Sequence, residues 1–238
     1  IFWKIYLGPW LKYYIQTIFD RWETVSIFLK KYGQNFKTVK FNYQEDDFVF
    51  FTLEEFIYNL YTDQYNHIIF NKIIRYKLNN NTENFYNNDF ILKPATKNEK
   101  NNLIKDSILK IYNKAFSPIL KKQKIFIFQT YLSKFEEVVL NLKLKQVPNI
   151  FFPKLKVKKK NFIKYDKNLR KKIFDFNLKK KSFENFLLSN LYFFLPTQFL
   201  ENFKNIKKLS DNLPFPKEPK IIFTSHGLSN YTLSKFYI

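Results

Sequence analysis

Two short apolar runs, each ending in polar residues, constrain the fold of this chain most strongly. Residues 124–130 read KIFIFQT and residues 219–224 read PKIIFT. A compact apolar run of this kind is typical of a buried parallel strand. After the first run, Ser133 and Glu136 have the spacing of a helix-capping pair. Strand, short turn and helix in that order form the unit of an α/β fold, so we predict a helix-rich α/β protein.

Apolar periodicity and capping residues predict that most of the remaining chain is helical. The clearest helix is expected to begin at Gly8-Pro9, since proline suits a first turn, and to end at Gly33. Its apolar stripe, which we expect to be buried, comprises Leu11, Ile15, Ile18, Trp22, Val25, Leu29 and Tyr32. Further elements are predicted over about 39–43 (a strand), 52–61, 64–77, 104–115, 133–145, 183–194 and 197–208. The asparagine-rich stretch at 79–88 is predicted to be an exposed loop.

Composition excludes several classes of protein. Aromatic residues make up 21% of the 238 residues, which excludes a disordered chain of low hydrophobicity. Cysteine is absent, which excludes a disulfide framework and a thiolate nucleophile, and two histidines make a histidine-rich metal site unexpected. Three glycines are too few for a glycine-rich phosphate loop, and no other stand-alone catalytic motif is present. We therefore expect no cofactor and no metal in this chain.

The net charge of +21 is unevenly distributed. Only three of the 41 basic residues are arginine, the residue that nucleic-acid readers favour. An AT-rich genome explains much of the lysine content, because lysine codons need only A and T. Residues 1–100 nevertheless hold 13 basic and 11 acidic residues, whereas residues 101–238 hold 28 and 9. Since genome bias acts on both parts alike, the second part predicts a phosphate-bearing ligand or an anionic membrane surface.

Polar side chains follow both predicted strands at the point where each strand ends. In open α/β sheets, ligands lie beyond the carboxyl ends of the strands. The candidate residues for substrate binding are Gln129, Tyr131, Ser133, Thr224 and Ser225, and Thr130 is a further polar residue after the first strand. His226 follows them as a candidate base or phosphate ligand, with a loop histidine as the alternative.

An acidic cluster, a single arginine and a helical histidine complete the set of polar candidates. Glu45, Asp46 and Asp47 follow the first predicted strand. Paired carboxylates can serve in acid–base catalysis, for which Asp46 and Asp47 are candidates, or can hold a metal, and a solvated loop is the alternative. Arg21 lies on the first helix, and we expect it to form a buried or bidentate ion pair, with anion binding as the alternative. His67 is expected to be structural.

Two stretches predict connections between packed parts. Residues 148–172 are lysine-rich, with lysines clustered at 154–160, and indicate either a solvated connection or a patch that faces a ligand or membrane. Residues 213–216 (LPFP) indicate a stiff linker, followed by a fresh strand and a helix starting at Ser229 or Asn230. A domain boundary is therefore predicted near residue 215. No apolar run reaches the 18 residues of a membrane-spanning helix.

Five collinear segments together resemble a transferase family encoded among bacterial O-antigen and other surface-polysaccharide genes. They cover most of the chain and are WKIYLGPWLKYYIQTIFDRW (3–22), EDDFVFFTLEEFIYNLYTDQYNHIIFNKII (45–74), QTYLSKFEEVVLNLKLKQVPNIF (129–151), FLPTQFLENF (194–203) and LPFPKEPKIIFTSHG (213–227). The specificity of the resemblance comes from their shared order. At His226 the chain departs from an asparagine-like residue that the family pattern leads us to expect.

The resemblance implies a lipopolysaccharide or related glycosyltransferase with two Rossmann-like domains, the GT-B architecture, of which this chain is a piece truncated at both ends. Residues 1–215 would be the remainder of an acceptor-side N-terminal domain with helical insertions, and residues 216–238 the first strand and partial helix of the donor-side domain. The implied partners are a nucleotide-sugar and a glycan or lipid-linked acceptor, without specific nucleic acid. The implied location is cytoplasmic, with peripheral contact at the inner face of the cytoplasmic membrane.

Several expectations concern the isolated chain and its alternatives. The chain starts with Ile1 and contains no methionine, so we expect an internal piece that is inactive alone and binds nucleotide-sugars weakly or not at all. Ile221, Ile222, Phe223 and Phe236 are expected to form an exposed apolar patch. The alternatives are a basic RNA-associated protein of an AT-rich organelle or symbiont, and a helical scaffold without an active site.

Overall fold

The computed structural model describes residues 1–33, 36, 38–78, 84–95, 103–148, 162–176, 181–225, 227 and 232–237. The helices are α1 (Phe2–Tyr32), α2 (Leu53–Leu60), α3 (Asp63–Lys77), α4 (Leu103–Leu120), α5 (Lys134–Lys143), α6 (Lys167–Ile173), α7 (Phe183–Phe194) and α8 (Phe203–Asp211). The strands are β1 (Thr38–Asn42), β2 (Asn84–Ile91), β3 (Ile125–Ile127) and β4 (Ile221–Phe223). The predicted helix-rich mixed α/β fold is confirmed.

The chain divides into two compact units. Unit 1 comprises Ile1–Pro9, Asn98–Phe162 and Lys204–Ile238, and unit 2 comprises Trp10–Lys97 and Ile163–Phe203. Each unit contains one two-stranded parallel sheet, β3–β4 in unit 1 and β1–β2 in unit 2. β3 and β4 pair in register from Ile125 opposite Ile221 to Ile127 opposite Phe223.

Helix α1 differs from its prediction in both its start and its buried face. Pro9 lies inside the helix rather than at its beginning. The buried residues are Tyr6, Trp10, Tyr14, Ile18 and Val25, whereas three members of the predicted stripe, Leu11, Ile15 and Tyr32, are exposed. The reason is aromatic packing with hydrogen bonding: in unit 2, Trp10 Nε1 donates to the Phe194 carbonyl and the Tyr14 hydroxyl donates to the Leu187 carbonyl.

The asparagine-rich stretch is not only a loop, because residues 84–91 form strand β2 and pair with β1. A strand ladder is made of backbone hydrogen bonds, so a chain without apolar alternation can still join it. Residues 79–83 lie outside the described residues. Helix α4 continues past the predicted end at residue 115, through Pro118, to Leu120, and its side chains Ile108 and Ile111 are exposed.

The C-terminal part of unit 1 is packed rather than linker-like. Pro214, Phe215 and Pro216 are buried, and the Phe215 ring centroid lies 5.0 Å from that of Phe126 in β3. After β4, residues 232–237 form a short 3-10 helix, while 228–231, where a helix start was predicted, lie outside the described residues. Earlier in the chain, one helix was predicted over residues 197–208. Residues 197–199 instead form a separate 3-10 turn, and α8 begins at Phe203. The domain boundary near residue 215 stays a prediction.

Aromatic side chains build the core of unit 2. Tyr65 is fully buried, and its ring lies 5.1–6.3 Å from the rings of Phe48, Phe50, Phe193 and Phe194, measured between centroids. Centroid separations in this range are favourable for edge-to-face and offset contacts. This core fixes the positions of α3 and α7, which carry polar residues discussed below.

Candidate functional site

The parallel pairing of β3 and β4 brings the two predicted sets of polar residues to one edge of the unit 1 sheet. Phe128 N donates to the Phe223 carbonyl (3.1 Å), and Ser225 N donates to the Gln129 carbonyl (3.2 Å). Tyr131 N donates in turn to Ser225 Oγ (3.2 Å). We call Gln129, Thr130, Tyr131, Ser133, Thr224 and Ser225 the strand-end edge. The chain segments that leave the two strands are therefore joined directly to each other.

Thr130 and Ser133 connect the strand-end edge to helix α5. Thr130 donates to Glu137 Oε1 through both its backbone N–H (3.2 Å) and its hydroxyl (2.7 Å), and Lys134 Nζ lies 2.5 Å from Glu137 Oε2. Burial would raise the pKa of Glu137, but the hydrogen bonds from Lys134 and Thr130 outweigh it and lower the pKa. Ser133 and Glu136 form the predicted capping box, so this helix start is confirmed.

Close backbone packing shapes the other side of the edge. A Cβ atom placed on Gly227 would lie 2.1 Å from Phe128 Cε2 and 2.7 Å from Thr224 Oγ1, so only glycine fits there. Gly227 N donates to Thr224 Oγ1 (3.0 Å). Gln129 has a left-handed backbone (φ 43°), and its buried Oε1 accepts no hydrogen bond within the described part of the chain.

This arrangement offers several polar groups at the end of a parallel sheet, which is where α/β proteins bind ligands. Tyr131 is almost fully exposed, and the Gln129 side-chain oxygen has unused acceptor capacity. Such groups can hold hydroxyls and phosphates of a substrate by hydrogen bonding. His226 lies outside the described residues, so its candidate role as a base stays a prediction. The lysine cluster at 154–160 also lies outside them.

A second polar cluster lies in unit 2 around Glu45. Its carboxylate accepts hydrogen bonds from Lys72 Nζ (3.2 Å), from Lys167 Nζ and from the Tyr192 hydroxyl (3.3 Å). Only 20% of the Glu45 side chain is exposed, and burial would raise its pKa, but the charge of Lys72 and the bonds from both lysines lower it. We call these four residues the Glu45 cluster.

The Glu45 cluster could not be identified from sequence because its members are far apart in the chain. Asp46 and Asp47, which the sequence indicated as weak catalytic candidates, are exposed on the same 3-10 turn and do not enter the cluster. A low pKa suits Glu45 to a permanently charged role rather than to proton transfer near neutral pH. Within the sequence, only the run of acidic residues at 45–47 indicated a polar site in this region.

The buried bidentate ion pair expected for Arg21 is formed by Arg170 instead. Arg21 pairs with the exposed Asp20 and donates through Nε to Asn66 Oδ1 (3.0 Å). Arg170 is fully buried, and its Nε and Nη2 lie 2.5 and 2.6 Å from the two carboxylate oxygens of Glu201. Its Nη1 donates to the carbonyls of Tyr192 and Leu195. This pair ties α6 to the end of α7 and is structural.

The remaining features of the described residues carry no catalytic assignment. His67 packs edge-on against Phe41 at 4.8 Å between ring centroids, lies 2.8 Å from the Asn71 side-chain amide, and has its pKa lowered by burial. Across the described ranges, no three histidine or carboxylate residues come together as a metal site. None of the described helices combines the length and apolar character needed to cross a membrane.

Comparison with known proteins identifies the family of the chain. The family model described as "LIC12162 family transferase" matches residues 1–238, the whole chain. No curated protein and no solved structure shows significant similarity to it. The match covers the full length of the chain, and the family is one of transferases. The chain belongs to the LIC12162 transferase family.

Proposed function

We propose that this chain is part of a glycosyltransferase that moves a sugar from a nucleotide-sugar to a surface-polysaccharide or lipid-linked acceptor. The strand-end edge is the single observation that carries the proposal. It places hydroxyl, amide and backbone groups from two parallel strands at one position, next to the N-terminus of α5. Membership of a transferase family supports the reaction class.

Glycosyl transfer requires that the two substrates are positioned for the reaction and that the negative charge on the departing phosphate is stabilised. An acceptor hydroxyl attacks the anomeric carbon of the sugar, the bond from that carbon to the phosphate oxygen breaks, and the nucleotide leaves with the bonding electrons. The hydroxyl proton passes to a base. Positive charge lowers the cost of the developing negative charge on the nucleotide, and residues 101–238 supply a large excess of lysine.

We also propose a two-Rossmann GT-B architecture for the full-length protein and a cytoplasmic location with peripheral contact at an anionic membrane. The basic second part of the chain supports that contact, since lysines near an anionic surface are attracted to it. The alternative of an RNA-associated protein predicts submicromolar RNA affinity with a steep salt dependence, which a filter-binding titration measures.

The test measures nucleotide release from UDP-, GDP-, CMP- and dTDP-sugars by the full-length product of the gene, with polysaccharide and lipid-linked acceptors. We expect release with one donor class and about tenfold slower turnover in Ser225→Ala, which loses one hydrogen-bonding group. The matched control is Ser107→Ala, an exposed serine on α4. Failure of every donor would overturn the glycosyltransferase proposal, and equal turnover of the two variants would move the site away from the strand-end edge.

A further inference from the structure

A groove in unit 2 lies between the end of α6 and helix α7. It is formed by other residues than the strand-end edge, which belongs to unit 1. It has a volume of about 450 Å³, and the residues used below that line it are Lys171, Lys172, Asp175, Phe176 and Tyr192. Small-molecule sites usually occupy about 300–1,000 Å³. The groove is therefore large enough for one small ligand.

The charged residues of the groove form no ion pair with any other residue that the structure describes. In the described part of the chain, no carboxylate lies within ion-pair distance of Lys171 or Lys172, and no cation lies within that distance of Asp175. All three side chains are exposed. Two ammonium groups beside one carboxylate offer a place for an anion, with one acceptor for hydroxyl donors next to it.

The aromatic wall of the groove is held in place by the Glu45 cluster. The Tyr192 hydroxyl donates to Glu45 Oε1 (3.3 Å), and the Nζ atoms of Lys72 and Lys171 each lie 5.8 Å from the centroid of the Tyr192 ring. Burial, and then the charge of Glu45, raises the pKa of Tyr192 to about 12, so the phenol stays neutral. Phe176, 39% exposed, adds a second ring to the wall.

We propose that this groove binds a sugar phosphate, that is, a sugar ring esterified to a phosphate or diphosphate. Lys171 and Lys172 bind the phosphate, Asp175 accepts hydrogen bonds from sugar hydroxyls, and the rings of Tyr192 and Phe176 pack against the apolar C–H face of the sugar. The assignment rests on the proposed glycosyltransferase function. Either a nucleotide-sugar or a lipid-linked sugar diphosphate supplies this chemistry.

Calorimetric titration of the 238-residue chain tests the proposal with four probes: inorganic phosphate, a sugar 1-phosphate, a nucleotide-sugar and a water-soluble analogue of a lipid-linked sugar diphosphate. We expect the sugar 1-phosphate to bind more tightly than inorganic phosphate. The Lys171→Gln/Lys172→Gln variant should bind the sugar 1-phosphate about tenfold more weakly than wild type, and raised salt should also weaken this binding. Whichever diphosphate ester competes better identifies the natural source.

Two variants separate a built site from general attraction to a basic protein. Asp175→Asn should strengthen the binding of inorganic phosphate, because it removes a repelling charge, and should reduce the preference for the sugar 1-phosphate over inorganic phosphate, because it replaces one of the two oxygens that accept from sugar hydroxyls with an amide NH2. The control Lys207→Gln/Lys208→Gln removes two exposed lysines of α8 and should leave binding unchanged. An equal loss of affinity for the sugar 1-phosphate in the two lysine variants, or no binding of any sugar phosphate, would overturn the groove assignment. The proposed function is tested separately, because nucleotide release by the full-length protein would still uphold it.

Discussion

Units 1 and 2 each contain a two-stranded parallel sheet, but the buried carboxylates described in them have partners at different distances along the chain. At the strand-end edge of unit 1, the buried Glu137 bonds to Thr130 seven residues before it and to Lys134 three residues before it. In unit 2, Glu45 bonds to Lys167 across 122 residues, and Arg170 bonds to Glu201 across 31. Unit 2 is therefore expected to depend on long-range charge pairs, and unit 1 on local caps and close packing.

The largest expected effect concerns the buried ion pair of unit 2. Glu201→Gln leaves the fully buried Arg170 without its anion, and we expect a loss of about 3–5 kcal/mol in the free energy of unfolding. Urea unfolding measures the loss, and hydrogen exchange should locate it in residues 163–203. Arg170→Lys should be nearly as damaging, since an ammonium group cannot span both carboxylate oxygens and two carbonyls.

The control for this prediction is Glu218→Gln, which changes the same functional group at an exposed position. It should alter the free energy of unfolding by less than about 0.5 kcal/mol. If Glu201→Gln were as mild as Glu218→Gln, long-range charge pairing would not distinguish unit 2 from unit 1.

Close packing at the strand-end edge gives the next largest effect. Gly227→Ala places a methyl group 2.1 Å from a ring atom of the buried Phe128, and we expect a loss of about 1–3 kcal/mol in unit 1. Gly8→Ala is the matched control, because it lies in helix α1 with nothing within 4 Å of the new Cβ. It should instead stabilise the protein by up to about 1 kcal/mol. A neutral Gly227→Ala would contradict the close approach.

The charge of Glu45 predicts a pH-dependent contribution to unit 2. Because its folded-state pKa is lowered from the ordinary 4.5, Glu45 stabilises the folded state above that value, and the contribution is lost as the pH falls through the lower folded-state pKa. Glu45→Gln should therefore cost about 1–2 kcal/mol at pH 7, and the difference from wild type should vanish in strong acid. Urea titrations from pH 7 to pH 3 measure it; a difference that stays constant with pH would show that the carboxylate charge is not responsible.

The same contrast explains how much could be predicted from the sequence. The cap at Ser133 and the strands β3 and β4 follow from residues close together in the chain, and all are confirmed. The buried or bidentate ion pair predicted for Arg21 is wrong, and the pair that Arg170 forms was not predicted, because its partner Glu201 is 31 residues away in the sequence. Strand β2 was missed because its pairing uses backbone groups that carry no side-chain signal.

The smallest expected effect compares two buried tyrosines within unit 2. The Tyr14 hydroxyl donates to the Leu187 carbonyl (2.7 Å), whereas the Tyr65 hydroxyl is buried and has no hydrogen-bond partner in the described part of the chain. Removing a satisfied hydroxyl loses a hydrogen bond, but removing an unsatisfied one relieves a desolvation cost. Tyr14→Phe should therefore cost about 1 kcal/mol, while Tyr65→Phe should be neutral or stabilising by up to about 1 kcal/mol.

Both variants keep the aromatic ring and its packing, so thermal and urea unfolding compare the hydroxyls alone. A clear loss of stability in Tyr65→Phe would reveal a partner for that hydroxyl, such as a buried water, and would extend the polar network of unit 2 into its aromatic core.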